Sequence, residues 1–155
     1  MSVPLSGSQA ADGRAFAGGA LLALREDGGK AAGLPVHAVT LDDATAGGWD
    51  PVQVAGDARQ AAEDSTSIAF LGELDPAATK ISQPITSQAG ILQISPRSLR
   101  GRGRAAPAPR LRARFDGSAG AAAMGFAAMR ETVGAIDRAD EPTDRASVRH
   151  AWLGP

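Results

Sequence analysis

Short apolar runs and longer segments with helical spacing alternate along the chain. The apolar runs at residues 67–71 and 91–94 predict buried strands, and the intervening segment 76–89 has the periodicity of a helix. Asp75 suits the N-cap of that helix, and Gly90 suits its C-terminal end. A strand, a helix and a second strand in this order predict a crossover that leaves the two strands parallel.

The same periodicities predict further elements on both sides of this unit. Pro84 lies inside the helix over 76–89 and is predicted to kink or interrupt it. Together the elements predict an α/β fold of three layers, with about four short parallel strands and helices on both faces of the sheet. The other elements are a strand stub at 3–5, a helix at 10–26, a strand at 35–41, a loop at 42–50, a helix at 51–63, a long helix at 118–139 and a short final helix capped by Thr143-Asp144.

Composition and charge exclude several classes of function. The formal net charge of −1 gives no general attraction to nucleic acid or to acidic membranes, and the absence of cysteine excludes disulfide and thiolate chemistry. No apolar run approaches the length of about 18–20 residues that a membrane helix needs. The first residues, MSVPLSG, lack a basic and an apolar region, so we expect no signal peptide and a cytoplasmic location if the chain is expressed as written.

The residue types that usually carry catalysis stand alone in this sequence. His37 and His150 have no neighbouring acid or nucleophile, and Ser118 lacks the strand and the glycine of a nucleophile elbow. Asp42 and Asp43 follow a predicted strand, where they either offer oxygen ligands to a cation or form a turn. The sequence therefore predicts no catalytic residue, no metal site and no cofactor, and thus no enzyme.

A basic segment at residues 97–114 contains seven arginines and no acidic residue, which allows a phosphate-binding arm. No aromatic residue is interleaved for stacking on bases, so we interpret the segment as a solvated basic linker, and contact with nucleic acid remains a third hypothesis. The arginines are Arg97, Arg100, Arg102, Arg104, Arg110, Arg112 and Arg114.

Several stretches of the chain resemble one known family. They are VPLSGSQAADGRAFAGGALLAL from Val3, VHAVTLDDATAGGWDPVQVAGD over 36–57, GILQISP over 90–96, and RLRARFDGSAGAAAMGFAAMRETVGAIDRADEPTDRASVRHAWLG over 110–154. The chain resembles the periplasmic solute-binding proteins of branched-chain amino acid ABC transporters, of the leucine/isoleucine/valine-binding type. That family has the type 1 periplasmic-binding fold, which consists of two lobes.

The resemblance implies a single lobe, because the interval that would hold the second lobe is short. Residues 1–98 are expected to form the first-lobe core, residues 99–109 a linker in place of the second lobe, and residues 110–155 helices that return to the same lobe. The implied function is the substrate-binding component, or a remnant of it, of an ABC transporter for branched-chain or related small amino acids or amides. Binding is expected to be weak because one lobe cannot close around a ligand.

In the family, loops after the third and fourth strands hold the ligand's carboxylate through backbone N–H groups and hydroxyls. The chain departs from the family at Pro76 and Leu99, which stand where hydroxyls are frequent, and near Asp12, where an aromatic residue is frequent. The residues expected by resemblance to bind the ligand are Ser6, Glu73, Leu74, Asp75, Ala77, Ser95 and Ser98.

The resemblance also implies partners and a location. The expected partners are a small amino acid or amide, a transporter permease and a second copy of the chain, whereas nucleic acid is not expected. An extracytoplasmic location follows from the family. The alternative function is a single-lobe interaction module that self-associates or binds a protein partner through surface that the missing lobe would cover.

Overall fold

The computed structural model describes residues 1–99 and 108–154. The strands are β1 (Ser2–Val3), β2 (Lys30–Ala31), β3 (Leu34–Pro35), β4 (Leu41–Asp42), β5 (Ala44–Thr45), β6 (Gly48–Trp49), β7 (Ala69–Leu71) and β8 (Leu92–Ile94). The helices are α1 (Ala10–Glu26), α2 (Pro51–Glu63), α3 (Pro76–Gln88), α4 (Pro109–Phe115), α5 (Ala119–Arg138) and α6 (Arg145–Leu153), and a 3-10 turn (Asp116–Ser118) joins α4 to α5.

Two parallel strand pairs form the middle layer. β1 pairs with β4, and β7 pairs with β8, both in parallel. The pairs abut at Gly72, where an added Cβ would lie 2.3 Å from the Ser2 carbonyl oxygen. The strands therefore lie in the order β4, β1, β7, β8, with two short antiparallel hairpins, β2–β3 and β5–β6, added outside this layer.

Side chains from successive strand residues enter different cores, as the pleat of a strand requires. Phe70 packs with Ile91 against α2 and α3, whereas Leu71 packs with Ile94 against α1 and α5. The structure thus confirms the predicted three layers, with short parallel strands between helices on both faces.

Three aspartates start helices as the sequence predicts. The Asp50 carboxylate accepts hydrogen bonds from the N–H groups of Val52 and Gln53, and the Asp75 carboxylate accepts one from Ala77. Asp144 caps α6 in the same way. Each cap satisfies backbone donors that the first turn of a helix leaves unpaired, which explains why these starts could be read from the sequence.

The predicted strand over 35–41 is wrong in extent. Leu34–Pro35 instead forms an antiparallel hairpin with Lys30–Ala31. Only Leu41–Asp42 pairs with β1. The hairpin turn places Ala32 at φ 49° and Gly33 at φ 76°, which is the geometry of a tight hairpin connection. The predicted loop over 42–50 likewise contains the hairpin β5–β6.

Pro84 does not interrupt α3, in contrast to the prediction. The helix continues from Pro76 to Gln88. Pro84 lies on the exposed face, where water can satisfy the Lys80 carbonyl that loses its N–H partner. On the buried face, the Thr86 hydroxyl donates to Gln93 Oε1 at 2.6 Å, which ties the second half of the helix to β8.

The C-terminal helix α5 packs so closely against α1 that the two helix backbones are in contact. A Cβ added to Gly19 would lie 1.9 Å from the Ala122 carbonyl oxygen, and one added to Gly125 would lie 1.9 Å from that of Phe16. These positions accept only glycine because any side chain would occupy the space of the facing backbone. The contact brings the apolar stripe of α5, including Met129 and Val133, onto the sheet.

Arg145 joins the last helix to the opposite side of the lobe. Its guanidinium donates to the carbonyl oxygens of Ser67 at 2.9 Å and of Asp64 at 2.6 Å. It also donates to the carbonyls of Ala61 and Ala62 near the end of α2 and of Ala89 at the end of α3. Helix ends leave carbonyls unpaired, so this single side chain satisfies acceptors from both helices.

The C-terminal helices pack on the same core as the first 99 residues. Leu111 of α4 is buried with Ala15 and Ala122, and Val148 of α6 lies in the main core. Helix α4 begins at Pro109, the last residue of the predicted linker. Residues 100–107, which make up most of that linker, lie outside the described residues, and the division into three segments stays a prediction.

Gly125→Ala is expected to destabilise the protein by about 1–3 kcal/mol or more, because its methyl group would overlap the α1 backbone. Urea unfolding followed by circular dichroism would measure the change. Gly56→Ala is the matched control: Gly56 is exposed inside α2 with no atom near an added Cβ, so the change should stabilise by about 0.5–1 kcal/mol. Equal effects of the two substitutions would contradict the backbone contact.

Arg145→Lys is expected to lower the free energy of unfolding by about 2–4 kcal/mol, since an ammonium cannot reach all five carbonyls and leaves some unpaired. Thermal unfolding and urea unfolding would both report the loss. Arg149→Lys on the exposed face of the same helix should change stability by less than about 0.5 kcal/mol.

Candidate functional site

The predicted ligand-binding residues lie on loops that follow three neighbouring parallel strands. Ser6 follows β1, the segment 73–77 follows β7, and Ser95 and Ser98 follow β8. The carboxyl ends of parallel strands meet at one edge of a sheet, so the fold brings these loops to the same side of the lobe. This side is called the carboxyl edge below.

Ser6 takes part in a turn and does not present a free hydroxyl. Its Oγ donates to the Ala44 carbonyl oxygen at 3.0 Å, and the neighbouring Leu5 N–H donates to Asp42 Oδ1 at 2.7 Å. Burial acts to raise the pKa of Asp42, but hydrogen bonds from Leu5, Ser6 and Ala44 outweigh it and hold that pKa below its usual value. Asp42 thus organises a turn, as the sequence suggested.

The N-terminus of α3 offers few free donors to a ligand. The N–H of Ala77 donates to its own cap, Asp75 Oδ1, at 2.6 Å, and Thr79 N–H donates to the Asp75 carbonyl oxygen at 3.0 Å. Pro76 has no N–H, which leaves Ala78 with the one unpaired N–H among these first helical positions. Leu74 is half-buried and packs against the main core.

The loop after β8 forms a small turn between two serines. Ser98 N–H donates to the Ser95 carbonyl oxygen at 2.9 Å, and the two hydroxyl oxygens lie 3.3 Å apart. Ser95 is buried, whereas Ser98 is half-buried and lies nearer to solvent. Leu99 is 8% exposed and packs in the core, so its side chain anchors the loop and leaves the hydroxyl of Ser98 as the donor that a ligand could reach.

A chain of buried carboxyl groups lies beneath the carboxyl edge. Ser2 Oγ lies 2.9 Å from Asp57 Oδ2 and 3.0 Å from Glu73 Oε2, and both contacts are buried. A hydroxyl has one hydrogen to donate, so it can donate to only one of these carboxyls. The other carboxyl must itself carry a proton and donate to Ser2, and the geometry alone therefore requires a protonated acid.

A further hydrogen bond among these buried carboxyl groups joins Glu73 to Asp43. Both residues are 1% exposed, and their side chains are hydrogen-bonded to one another. Two carboxyls can share a hydrogen bond only if one is protonated, because an ionised carboxylate only accepts. Asp43 Oδ1 and Glu73 Oε1 have no other partner, and a proton held between the two side chains would satisfy them.

The electrostatics of this group favour the protonated forms. Burial raises the pKa of Glu73 to about 9, and the hydrogen bond with Asp43 and the charge of Asp43 raise it further in the same direction. Burial also raises the pKa of Asp57 to about 6, although the Ser2 hydroxyl opposes the shift. The pKa of Asp43 is raised as well, chiefly by burial and against the hydrogen bond from Glu73.

The carboxyl group has a structural role. It joins β1 through Ser2, the end of β4 through Asp43, the end of β7 through Glu73 and helix α2 through Asp57. Among the described residues, no set of three or more ligating side chains is arranged to hold a metal ion. The hydrogen bonds of this group fix the base of the loop that carries the predicted ligand residues.

Sequence reasoning missed this group, although one signal was available. Asp57 falls on the helical stripe of Val54 and Ala58, so the periodicity of α2 placed an acid on the buried face. Asp43 and Glu73 each follow a predicted strand. Their contact could not be read from the sequence because it depends on the strand order β4, β1, β7.

The described part of the basic segment contacts other residues of the lobe. Arg110 forms an ion pair with Glu26 at 3.1 Å and stacks over the ring of Phe126, and Arg114 lies over Phe115. The side chains of Arg100, Arg102 and Arg104 belong to the part of the chain outside the described residues. The nucleic-acid hypothesis stays a prediction.

The stability of the protein is expected to fall as the pH rises from about 5 to about 9. The folded state keeps the proton of Glu73 while the unfolded state releases it near pH 4.5, so the unfolded state binds fewer protons in this range. One such proton gives a slope of about 1.4 kcal/mol per pH unit. Urea unfolding at several pH values would measure it.

Glu73→Gln is expected to flatten the slope above about pH 6, because the amide keeps both hydrogen bonds without titrating. The exposed Glu63→Gln substitution should leave the slope unchanged. A Glu73→Gln protein with the slope of the unmodified chain would contradict the buried proton.

No protein-family model matches the chain, and no curated protein sequence matches it. Two solved structures are similar to it. The leucine-binding protein LivK from Thermotoga maritima is 24% identical, with a TM-score of 0.55, over 61% of this chain and 26% of its own. A putative branched-chain amino acid ABC transporter protein from Rhodospirillum rubrum is 27% identical, with a TM-score of 0.54, over 70% of this chain and 28% of its own.

This chain spans about a quarter of the length of each of these proteins. One is a leucine-binding protein and the other a putative branched-chain amino acid ABC transporter protein, and neither is described as an enzyme. No helix in the described ranges 1–99 and 108–154 has the length and hydropathy to span a membrane. The similarity confirms the predicted fold: the chain has the α/β architecture of one lobe of a type 1 periplasmic-binding fold.

Proposed function

We propose that the chain is the amino acid-binding lobe, or a remnant of it, of a solute-binding protein that serves an ABC transporter. Its ligand is a branched-chain or related small amino acid or amide, held by the carboxylate at the carboxyl edge. The observation that carries the proposal is the structural similarity to a putative branched-chain amino acid ABC transporter protein, which is 27% identical over 70% of this chain.

The residues proposed to meet the ligand are those of the two loops after β7 and β8. The Ser98 hydroxyl is the donor that the loops leave available, because Ala78, whose N–H is unpaired, is fully buried. The start of α3 adds the partial positive charge of a helix N-terminus, which favours a carboxylate. Ser6, Glu73, Leu74, Asp75, Ala77 and Ser95 position these loops in the proposal, through the turn, the buried proton and the helix cap described above.

Several features make the proposed binding weak. The Asp75 carboxylate already accepts the hydrogen bond of the Ala77 N–H group. It also places a negative charge beside the expected ligand carboxylate. Pro76 supplies no donor, and Leu99 is turned into the core. A single lobe also leaves the ligand's ammonium group in water, so the affinity is expected in the millimolar range, about −4 kcal/mol.

A transporter permease is the proposed protein partner, and an extracytoplasmic location follows from the same proposal. Self-association is the alternative function, and one observation favours it. Leu34 and Val39 are 43% and 59% exposed at the edge opposite the proposed ligand site. Exposed apolar side chains of this kind promote association when they are contiguous.

Titration of ¹⁵N-labelled protein with leucine, isoleucine and valine is the direct test. We expect saturable amide shifts at Ser98 and its neighbours in the loop after β8, with a millimolar dissociation constant. A micromolar constant would contradict the expected weakness, and the absence of any shift at 50 times the expected constant, roughly 50 mM on the millimolar scale, would contradict the function.

Ser98→Ala should weaken binding about threefold to tenfold, the effect of one lost hydrogen bond. Ser65→Ala is the matched control, because Ser65 is exposed in the loop between α2 and β7 at the opposite edge. The control variant should bind as the unmodified chain does. If both variants bind equally, the ligand lies elsewhere on the lobe.

A further inference from the structure

The loop that follows β7 is held at its base by two anchors of different chemistry. Gly72 lies between β7 and this loop: its N–H donates to the Ile94 carbonyl oxygen at 3.0 Å, and its carbonyl oxygen accepts from Gln93 Nε2 at 3.1 Å. The next residue, Glu73, extends its side chain into the buried carboxyl group. The first anchor is an amide and the second is an acid, so they respond differently to pH.

The amide anchor keeps its hydrogen bonds when the pH changes. Gln93 Nε2 also donates to Ser82 Oγ at 2.8 Å, and Gln93 Oε1 accepts from the Thr86 hydroxyl at 2.6 Å. Ser82 and Thr86 are buried on the inner face of α3. None of these three side chains titrates near neutral pH, so Gly72 stays joined to β8 and to α3.

The carboxyl anchor loses its hydrogen bonds when its protons leave. Once ionised, its three acids, Asp43, Asp57 and Glu73, can only accept hydrogen bonds. The Ser2 hydroxyl has a single hydrogen, which it can donate to either Asp57 or Glu73. Buried carboxylates without donors also repel one another, so the ionised group is stable only if one of the acids reaches water.

The charged groups around Glu73 favour this departure. Burial raises the pKa of Glu73 to about 9, and the negative neighbours act in the same direction. Within residues 1–99 and 108–154 the positive charge that acts on Glu73 is the α-amino group of Met1, and burial lowers the pKa of that amine. Helix α3 and strand β8 contribute the uncharged side chains of the amide anchor. The negative neighbours are Asp43 at the end of β4 and Asp57 on α2, together with Asp42 and Asp75, whose charges act on Asp43.

Glu73 is the acid of this group that can reach water. Asp43 lies between β4 and β5, and both its N–H and its carbonyl oxygen are hydrogen-bonded to other backbone groups. Asp57 lies in the middle of α2. Glu73 instead begins the short connection to α3, in which the next residue, Leu74, is half-buried. Rotation about the backbone bonds of Gly72 can therefore turn the Glu73 carboxylate outward without breaking a helix or a strand.

We propose that Glu73 is a proton-operated latch on the loop between β7 and α3. With its proton bound, the side chain holds the loop closed against Asp43 and Ser2. When the proton passes to solvent, the carboxylate turns into water and Leu74 leaves the core, while the amide anchor keeps Gly72 in place. The closed state binds at least one proton more than the open state, so a rise in pH favours the open state. This opening is local and precedes the unfolding of the whole lobe.

Methyl NMR of the chain with ¹³C-labelled leucine tests the latch without any ligand. Between about pH 6 and about pH 9.5, the Leu74 methyl signals should move towards the positions of solvent-exposed leucine, whereas those of Leu92 in β8 should stay in place. Leu74 signals that do not move over this range would overturn the proposal. A joint movement of the Leu74 and Leu92 signals would also overturn it, because the whole lobe would then be unfolding.

Altered chains separate the latch from other titrations. The Leu74 signals of Glu73→Gln should keep their closed position over the whole range, because the amide does not titrate. Asp57→Asn should reduce the opening at about pH 9, since its amide donates to Ser2 and frees the hydroxyl hydrogen for an ionised Glu73. It provides the same decision if Glu73→Gln fails to fold, and an unchanged or larger opening would count against the latch.

Two controls should open as the unmodified chain does. Glu63→Gln changes an exposed acid of α2 outside the carboxyl group. Acetylation of the α-amino group of Met1 removes the positive charge that acts on Glu73 and leaves the carboxyls intact. Loss of the Leu74 movement after acetylation would assign the titration to the amine and would overturn the proposal.

The latch also regulates the amino acid site, a consequence that rests on the proposed function. Opening displaces the loop after β7 and brings the Glu73 charge to the carboxyl edge, so the apparent affinity falls with the closed fraction. One pH unit above the midpoint of the Leu74 movement, leucine should bind about tenfold more weakly than at low pH, whereas Glu73→Gln should change by less than about twofold. Equal pH dependence in both proteins would overturn this regulation. Leucine that binds neither protein at any pH would contradict the proposed function, and the Leu74 signals would still decide the latch.

Discussion

The contact between α1 and α5 is the constraint on which the rest of the lobe depends. Glycine at positions 19 and 125 lets two helix backbones touch, and no other residue would fit there. The contact joins residues more than a hundred positions apart and closes one face of a strand layer whose members have only two or three residues. Such short strands cannot stabilise a layer by pairing alone, so their stability comes from helices packed on both faces.

The buried polar groups of the lobe likewise connect elements that are distant in the sequence. Arg145 satisfies carbonyls from the ends of two helices, and buried protons join Asp43, Glu73, Asp57 and Ser2 across two strand pairs. An unpaired buried charge in either place would cost several kcal/mol, so each arrangement is stable only as a complete set. The loops of the carboxyl edge rest on this framework, and it limits how they can move to meet a ligand.

The two edges of the strand layer differ in the groups that they expose. At the carboxyl edge, helix caps and turns already pair most of the hydrogen-bond donors, which leaves the Ser98 hydroxyl for the proposed ligand. At the opposite edge, a largely apolar cavity lies beside exposed Leu34 and Val39.

The sequence by itself determined the helices, because caps such as Asp50, Asp75 and Asp144 and the apolar stripe of α5 act over a few residues. It also predicted the α/β layers and their fold family. It placed the strand at 35–41 wrongly because residues 34–35 form a hairpin instead. It also predicted that Pro84 kinks or interrupts a helix, which continues through Pro84 on its exposed face. The contacts of Glu73 with Asp43 and Ser2 and the carbonyls around Arg145 were decided by tertiary structure alone. Each joins segments distant in sequence, and no local pattern records which strand lies beside which.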